Sequence, residues 1–152
     1  MNLRPKPYRQ AVMAIIYKED YSFLIGSSPR DGGFKFPQGG LDEQEAYLDG
    51  LFRELNEELG TILTQDDQIK KLSQSVKYHY PSHKPYSKKF SGQELHIFVI
   101  KFRESMSFIP QDNEFDQLHW ITKEEMIHYN FEHREPAYLD AISKALTYLN
   151  RS

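Results

Sequence analysis

The sequence predicts an α/β protein of the α+β kind, a mixed sheet covered by helices. Three observations carry that expectation. Apolar, β-branched runs of strand length stand at residues 10–17 and 94–102. Helical periodicity appears at residues 48–59 and again from Pro136 to about residue 150. Strands and helices are mixed without the strict βαβ alternation of a doubly wound fold.

In chain order, residues 10–17 form a first strand and 22–26 its hairpin partner, with residues 18–21 as the turn. Residues 27–40 read as loop, because Pro29, Asp31-Gly32-Gly33, Pro37 and Gly39-Gly40 are turn chemistry. A helix over 48–59 stops at Gly60, which suits a left-handed C-terminal cap. Residues 69–78 and 94–102 are strands, separated by a long loop, 79–92, holding Pro81 and Pro85. A strand over 116–121 leads to Thr122, whose spacing to Glu125 is that of a capping box and starts a helix. Pro136 fits the first turn of a last helix, with Leu139, Ile142, Leu146 and Leu149 as its apolar face.

The 152 residues suit one domain, 1–152, large enough to bury a core without staples. The absence of cysteine excludes disulfides and thiolate metal sites. Arg4, Lys6 and Arg9 are followed by no apolar run of signal-peptide kind, and no stretch approaches the roughly 18 apolar residues of a spanning helix. The expectation is a cytoplasmic protein with no membrane partner. No obligate protein partner is evident, and a homo-oligomer is left open. A net charge of −3 argues against a chain held on nucleic acid by bulk charge alone. The charge is uneven, however. Residues 68–93 contain no acid but carry Lys70, Lys71, Lys77, Lys84, Lys88 and Lys89, whereas acids gather at 42–58 and 112–135. One acidic centre beside a basic segment suits a metal-polyphosphate site, and a solvated basic loop is the plainer alternative.

The chemistry concentrates on the helix at 48–59. Leu48, Leu51, Phe52, Leu55 and Leu59 fall on one stripe; Glu54, Glu57 and Glu58 fall on a neighbouring one. Like charges at this spacing cost a few tenths of a kcal/mol per pair. They also sit near the helix C-terminus, where the macrodipole disfavours anions. A bound divalent cation supplies the missing reason, since hard cations take carboxylate oxygens. A solvated face with Arg53 paired to Glu57 is the alternative for an isolated helix. Phe36-Pro37-Gln38-Gly39-Gly40-Leu41 just before it makes the combination rarer, because glycines let a backbone carbonyl approach a metal or phosphate.

These residues resemble the Nudix box, G-x5-E-x7-R-E-U-x-E-E-x-G-U, with U aliphatic. Gly39, Glu45, Arg53, Glu54, Leu55, Glu57, Glu58 and Gly60 occupy its positions. Thr61 replaces the final aliphatic residue, and Gln44 replaces the glycine usual before the first glutamate; both departures bear on loop shape. The resemblance implies an α/β/α sandwich with a catalytic loop-helix-loop, acting as a magnesium-dependent phosphoanhydride hydrolase. Glu54, Glu57 and Glu58 would bind two or more Mg2+ ions, or Mn2+, with Glu54 also a candidate base. Arg53 would orient them, Glu45 would fix Arg53, and a carbonyl near Gln38 or Gly39 would complete one metal shell.

Tyr8-Arg9, Phe36 to Gly40, Gly92-Gln93, and Glu114-Phe115-Asp116 with Trp120 extend the likeness. They are similar to the bacterial RNA 5′-pyrophosphohydrolases and related dinucleoside polyphosphate hydrolases. By that likeness Glu114 is a further metal ligand or the base, Arg9 holds a phosphate, and Phe131 stacks on a nucleobase. Phe131 as core, Arg9 as a surface charge and Glu114 as a turn residue are the alternatives. Glu132 stands where a lysine often follows the stacking aromatic, and Ser28 where arginine is frequent, with Arg30 nearby. Tyr78, Tyr80, Tyr86 and Phe90 alternate with lysines and histidines, a mixture that suits a single-stranded RNA end. The substrate-binding candidates are therefore Arg9, Arg30, Tyr78, Lys84, Lys88, Lys89 and Phe131. The expected reaction is removal of pyrophosphate from 5′-triphosphorylated RNA, a step of mRNA decay. Dinucleoside polyphosphate or nucleoside triphosphate hydrolysis is the rival, and a non-catalytic nucleotide-binding module a remote one.

Overall fold

A computed structural model describes residues 6–81, 89–111 and 114–150. The long apolar runs become the two central strands, β1 (Tyr8–Tyr17) and β7 (Gly92–Lys101). They pair in parallel over their whole length, from Tyr8 opposite Gly92 to Tyr17 opposite Lys101. Both faces of this pair are covered, which is why the runs are continuously apolar and not alternating. Met13, Ile15, Ile97 and Val99 face one core, and Val12, Ala14, Ile16, Phe98 and Ile100 the other.

β2 (Phe23–Ser27) returns antiparallel from β1 through the expected turn, in which Tyr21 takes a left-handed φ of 62°. Two short strands had no sequence signal beyond loop chemistry, β3 (Phe34–Lys35) on β2 and β4 (Gln38–Gly40) on the middle of β1. The strand expected over 69–78 is two strands, β5 (Ile69–Lys71) and β6 (Val76–His79), both antiparallel to β7. Lys71 lies opposite Phe98 and Val76 opposite Leu95, so five steps on one side match three on the other. The surplus residues bulge out, with Leu72 still bonded to Ile97. β8 (Leu118–Ile121) closes the edge against β2.

Among the described residues, two α-helices cover the sheet, α1 (Tyr47–Leu59) and α2 (Glu135–Leu149). Gly60 ends α1 with φ 62° and donates to Asn56 and Leu55 carbonyls, as its cap role requires. Leu51, Leu55 and Leu59 are buried, but Leu48 is 47% exposed: the helix start is filled instead by Leu41, packed over Gly50. The expected face of α2 is also corrected. Its buried residues are Ala137, Tyr138, Ala141, Ile142 and Ala145, whereas Leu139 is exposed. Small residues let the helix approach the sheet closely, so the face is narrower and rotated. The capping box at Thr122 forms, with Thr122 N–H to Glu125 at 2.8 Å, but opens a 3-10 turn, Glu124–His128, and not an α-helix. Among the described residues no helix is long and apolar enough to cross a membrane.

Candidate active site

The loop that descends from β4 into α1 is tied together by Arg53. Its Nε and Nη2 donate to the two oxygens of Glu45 at 2.9 and 2.7 Å, and Nη2 donates also to the Gly40 carbonyl at 3.0 Å. Nη1 donates to Glu54 at 2.9 Å and to Glu57 at 3.3 Å. The planar fork of a guanidinium suits this task, since one group can serve several carboxylate oxygens at fixed angles. The Arg53 hydrogen bonds, helped by a backbone N–H from Asp42, hold Glu45 down at about 2.

The helix carboxylates are graded in depth. The Glu57 side chain is 58% exposed and that of Glu54 13% exposed, while Glu58 is fully buried. Glu58 accepts a hydrogen bond from the Gln38 N–H at 3.0 Å. Burial pushes its carboxyl well above the usual range; Lys35 opposes this, and the charges of Glu54 and Glu114 add to it. Glu54 is raised as well, chiefly by burial, against the pull of Arg53. The two glycines before the helix make room for this packing. A Cβ on Gly39 would lie 2.0 Å from the Glu54 carboxylate, and one on Gly40 would lie 2.2 Å from the Arg9 guanidinium carbon.

Glu54, Glu57 and Glu58 open into a cleft of about 490 Å3 that Gln38, Gly39 and Glu114 also line. Its cations are Arg9, Arg30, Lys35 and Arg134. Arg30 donates to Glu114 at 2.9 Å, and Lys35 is buried against Asp31 at 2.6 Å. Burial alone would raise Asp31, but Lys35 and Arg30 outweigh it and hold its carboxyl well below the ordinary value. Arg134 is buried and donates through Nη2 to the carbonyls of Gly32 (2.6 Å) and Phe34 (3.2 Å), while its buried Nε has no hydrogen-bond partner among the described residues. Tyr78 lies in the cleft floor, its hydroxyl donating to Gln93 at 2.8 Å and accepting from the Gln38 side-chain amide at 3.1 Å.

The sequence-predicted site residues thus divide. Arg9, Arg30, Gln38, Gly39, Glu54, Glu57, Glu58, Tyr78 and Glu114 come together in the cleft, with Arg53 and Glu45 behind them. Lys89 is exposed beside a neighbouring cleft, and Lys84 and Lys88 lie outside the described residues. Phe131 is a correction. It is 1% exposed, packed against Phe36 and Tyr138 with centroids 6.2 and 5.5 Å away, and offers no face to a nucleobase. The polar stretch around it hid an aromatic that completes the core between β3 and α2. Lys35, Asp31 and Arg134 were missed. A buried charge is rare, and only the partners met in the fold reveal it, Asp31 and Lys35 for each other and two backbone carbonyls for Arg134.

The donor set fits a hard divalent cation, being entirely carboxylate and backbone oxygen, with one of the carboxylates, Glu58, deeply buried at the cleft. Among the described residues no three acidic or imidazole side chains already converge as a metal cage. Arg53 and Arg30 hold Glu54, Glu57 and Glu114 in their place.

Comparison with known proteins gives the family and the fold. The family model for the NUDIX domain matches residues 7–141. The chain is 38% identical over 111 residues to an RNA pyrophosphohydrolase of Helicobacter pylori, covering 66% of this chain and 67% of that protein. It is 28% identical to an RNA pyrophosphohydrolase of Nitratiruptor, covering 98% and 97%. Among solved structures, the E. coli dihydroneopterin triphosphate pyrophosphohydrolase shares the fold with a TM-score of 0.70 at 16% identity, over 90% of this chain and 95% of that one. A C. elegans Ap4A hydrolase does so with a TM-score of 0.69 at 16% identity, over 93% and 98%. The chain belongs to the NUDIX family, as a pyrophosphohydrolase of that family.

Proposed function

We propose that the protein is an RNA 5′-pyrophosphohydrolase. It would hydrolyse 5′-triphosphorylated RNA to 5′-monophosphorylated RNA and pyrophosphate. The observation that carries this reading is one cleft holding both an Arg53-ordered set of carboxylates and four cationic side chains. The names of the relatives at 28–38% identity support the RNA end as substrate.

Nudix hydrolases use divalent metal ions such as Mg2+. Glu54, Glu57, Glu58 and Glu114 would hold them here, two or more, with a Gln38 or Gly39 carbonyl. When bound, such ions neutralise the phosphates and acidify a water. Arg53 keeps Glu54 and Glu57 on one side of the helix, so little reorganisation is left for the reaction itself. Arg9, Arg30, Lys35 and Arg134 would receive the triphosphate oxygens. One water O–P bond forms as the anhydride O–P bond breaks. Glu54 or Glu114 takes a proton from that water, and the departing pyrophosphate keeps the electron pair of the broken bond.

The test is a side-by-side assay of triphosphorylated RNA, diadenosine polyphosphates and nucleoside triphosphates with product analysis. The reading expects the highest kcat/KM on RNA, with pyrophosphate as product. A higher kcat/KM on a dinucleoside polyphosphate or a free nucleotide would replace it.

A further inference from the structure

Beside the catalytic cleft lies a second one of about 1060 Å3, against about 490 Å3 for the first. The two share Arg9 and Tyr80, so they meet at a common wall. Tyr80 hydrogen-bonds to Arg9, and Arg9 rests against Gly40, one residue from the glycine that faces Glu54. A chain leaving the carboxylates past Arg9 therefore passes directly into the second cleft.

Its lining is aromatic. Tyr8, Tyr47, Tyr80 and Phe90 surround it, with Lys89 at the edge. Tyr47, the first residue of α1, is 40% exposed yet held in orientation by His96, stacked 4.2 Å away at 28°. His96 is itself fixed to the Gln10 side chain at 2.7 Å. Tyr8 is held likewise, its hydroxyl 3.0 Å from His79 Nε2. Cations accompany the rings: Lys71 lies 5.0 Å from the Tyr47 ring centre, Lys77 5.0 Å from that of Tyr8 and Lys89 5.4 Å from that of Phe90. Asp42, Glu43 and Glu45 also line the cleft, and two of them face Arg53 at 3.5 and 2.7 Å. With acids on its rim, the surface grips by stacking more than by net charge. Preoriented rings lose little freedom on binding.

We propose that this cleft is a stacking platform for single-stranded RNA, seating the nucleotides downstream of the 5′ end. The assignment rests on the RNA reading above and adds a second binding site to it. The platform takes bases of any sequence, because every base has a π-face.

The experiment measures KM and kcat on 5′-triphosphorylated RNAs of one to eight nucleotides, for the wild type, Tyr47→Ala, Phe90→Ala and Tyr47→Phe. Binding of a 5′-monophosphorylated octaribonucleotide is followed alongside by fluorescence anisotropy. In the wild type KM should fall as RNA lengthens. Each alanine variant should weaken octamer binding and raise long-RNA KM roughly 5- to 150-fold, the worth of one base–aromatic contact. The one-nucleotide substrate, kcat and melting temperature should stay unchanged, and Tyr47→Phe should behave as wild type. The salt dependence should also hold, since rings release no counterions. If pyrophosphate is released from RNA but the length gain is absent, or survives in both alanine variants, the platform is wrong and the RNA reading stands. If the octamer binds through Tyr47 and Phe90 yet RNA releases no pyrophosphate, the platform stands and the RNA reading fails.

Discussion

At the scale of single residues, close approach decides what each position accepts. Gly39 and Gly40 are separate devices, the first leaving space for the Glu54 carboxylate and the second for the Arg9 guanidinium. Thr61, where an aliphatic residue is usual in the resembled box, is buried with its hydroxyl donating to the Ser107 carbonyl at 2.7 Å, so the change of chemistry is satisfied. Gln44 is different. It takes φ 62°, a left-handed conformation that costs a side-chain-bearing residue about 1–2 kcal/mol. Gln44→Gly should relieve that strain and raise the melting temperature by a few degrees without changing kcat. A lower melting temperature in calorimetry would show that the Gln44 side chain compensates elsewhere. Phe131→Ala should cost about 3–5 kcal/mol, as loss of a buried aromatic does. Its remaining folded fraction should keep a normal KM. A normal melting temperature with a raised KM would restore the stacking role that its burial denies.

At the scale of elements, the catalytic helix was legible in the sequence to within one residue at its start, though the strand β4 before it was not. The box spacing places Glu45, Arg53 and the three glutamates, and the structure joins Glu45, Glu54 and Glu57 through one guanidinium. The face of α2 was less legible, because leucines weigh more than alanines in an apolar pattern, yet Ala137, Ala141 and Ala145 are what the sheet receives. Strands of two or three residues, β3 and β4, are too short to show periodicity. The Glu45–Arg53 pair yields a pH prediction. Glu45 is held at about 2, below its ordinary 4.5, so the folded chain binds this proton less readily than the unfolded one. Its stabilisation is complete above about 4.5 and is lost as pH falls toward about 2. The melting-temperature gap between wild type and Glu45→Gln should be widest at neutral pH and close over that interval. A gap independent of pH would mean that the pair acts through shape and not charge.

At the scale of the whole molecule, a doubly covered parallel pair, β1 with β7, supports everything else. From it β4 delivers Gln38 and Gly39 toward α1, and the β2–β3 region delivers Arg30, Asp31 and Lys35 to the same cleft. Arg134, at the start of α2, pins that region through two carbonyls. The part that Asp31, Lys35 and Arg134 take in it is invisible in the sequence, because Arg134 stands 102 and 100 residues from the two carbonyls it meets and reaches them only through the packed core. The proposed chemistry has the carboxylates of α1 act together with divalent cations on a triphosphate at an RNA end. The most direct measurement is pyrophosphate release from 5′-triphosphorylated RNA as Mg2+ is titrated, for wild type and for Glu57→Gln, whose exposed side chain spares the fold. Turnover should vanish in excess chelator and return with Mg2+, with kcat in the variant lower by roughly 10²-fold or more at an unchanged melting temperature. Full turnover in chelator, or a Glu57→Gln variant as fast as wild type, would contradict it.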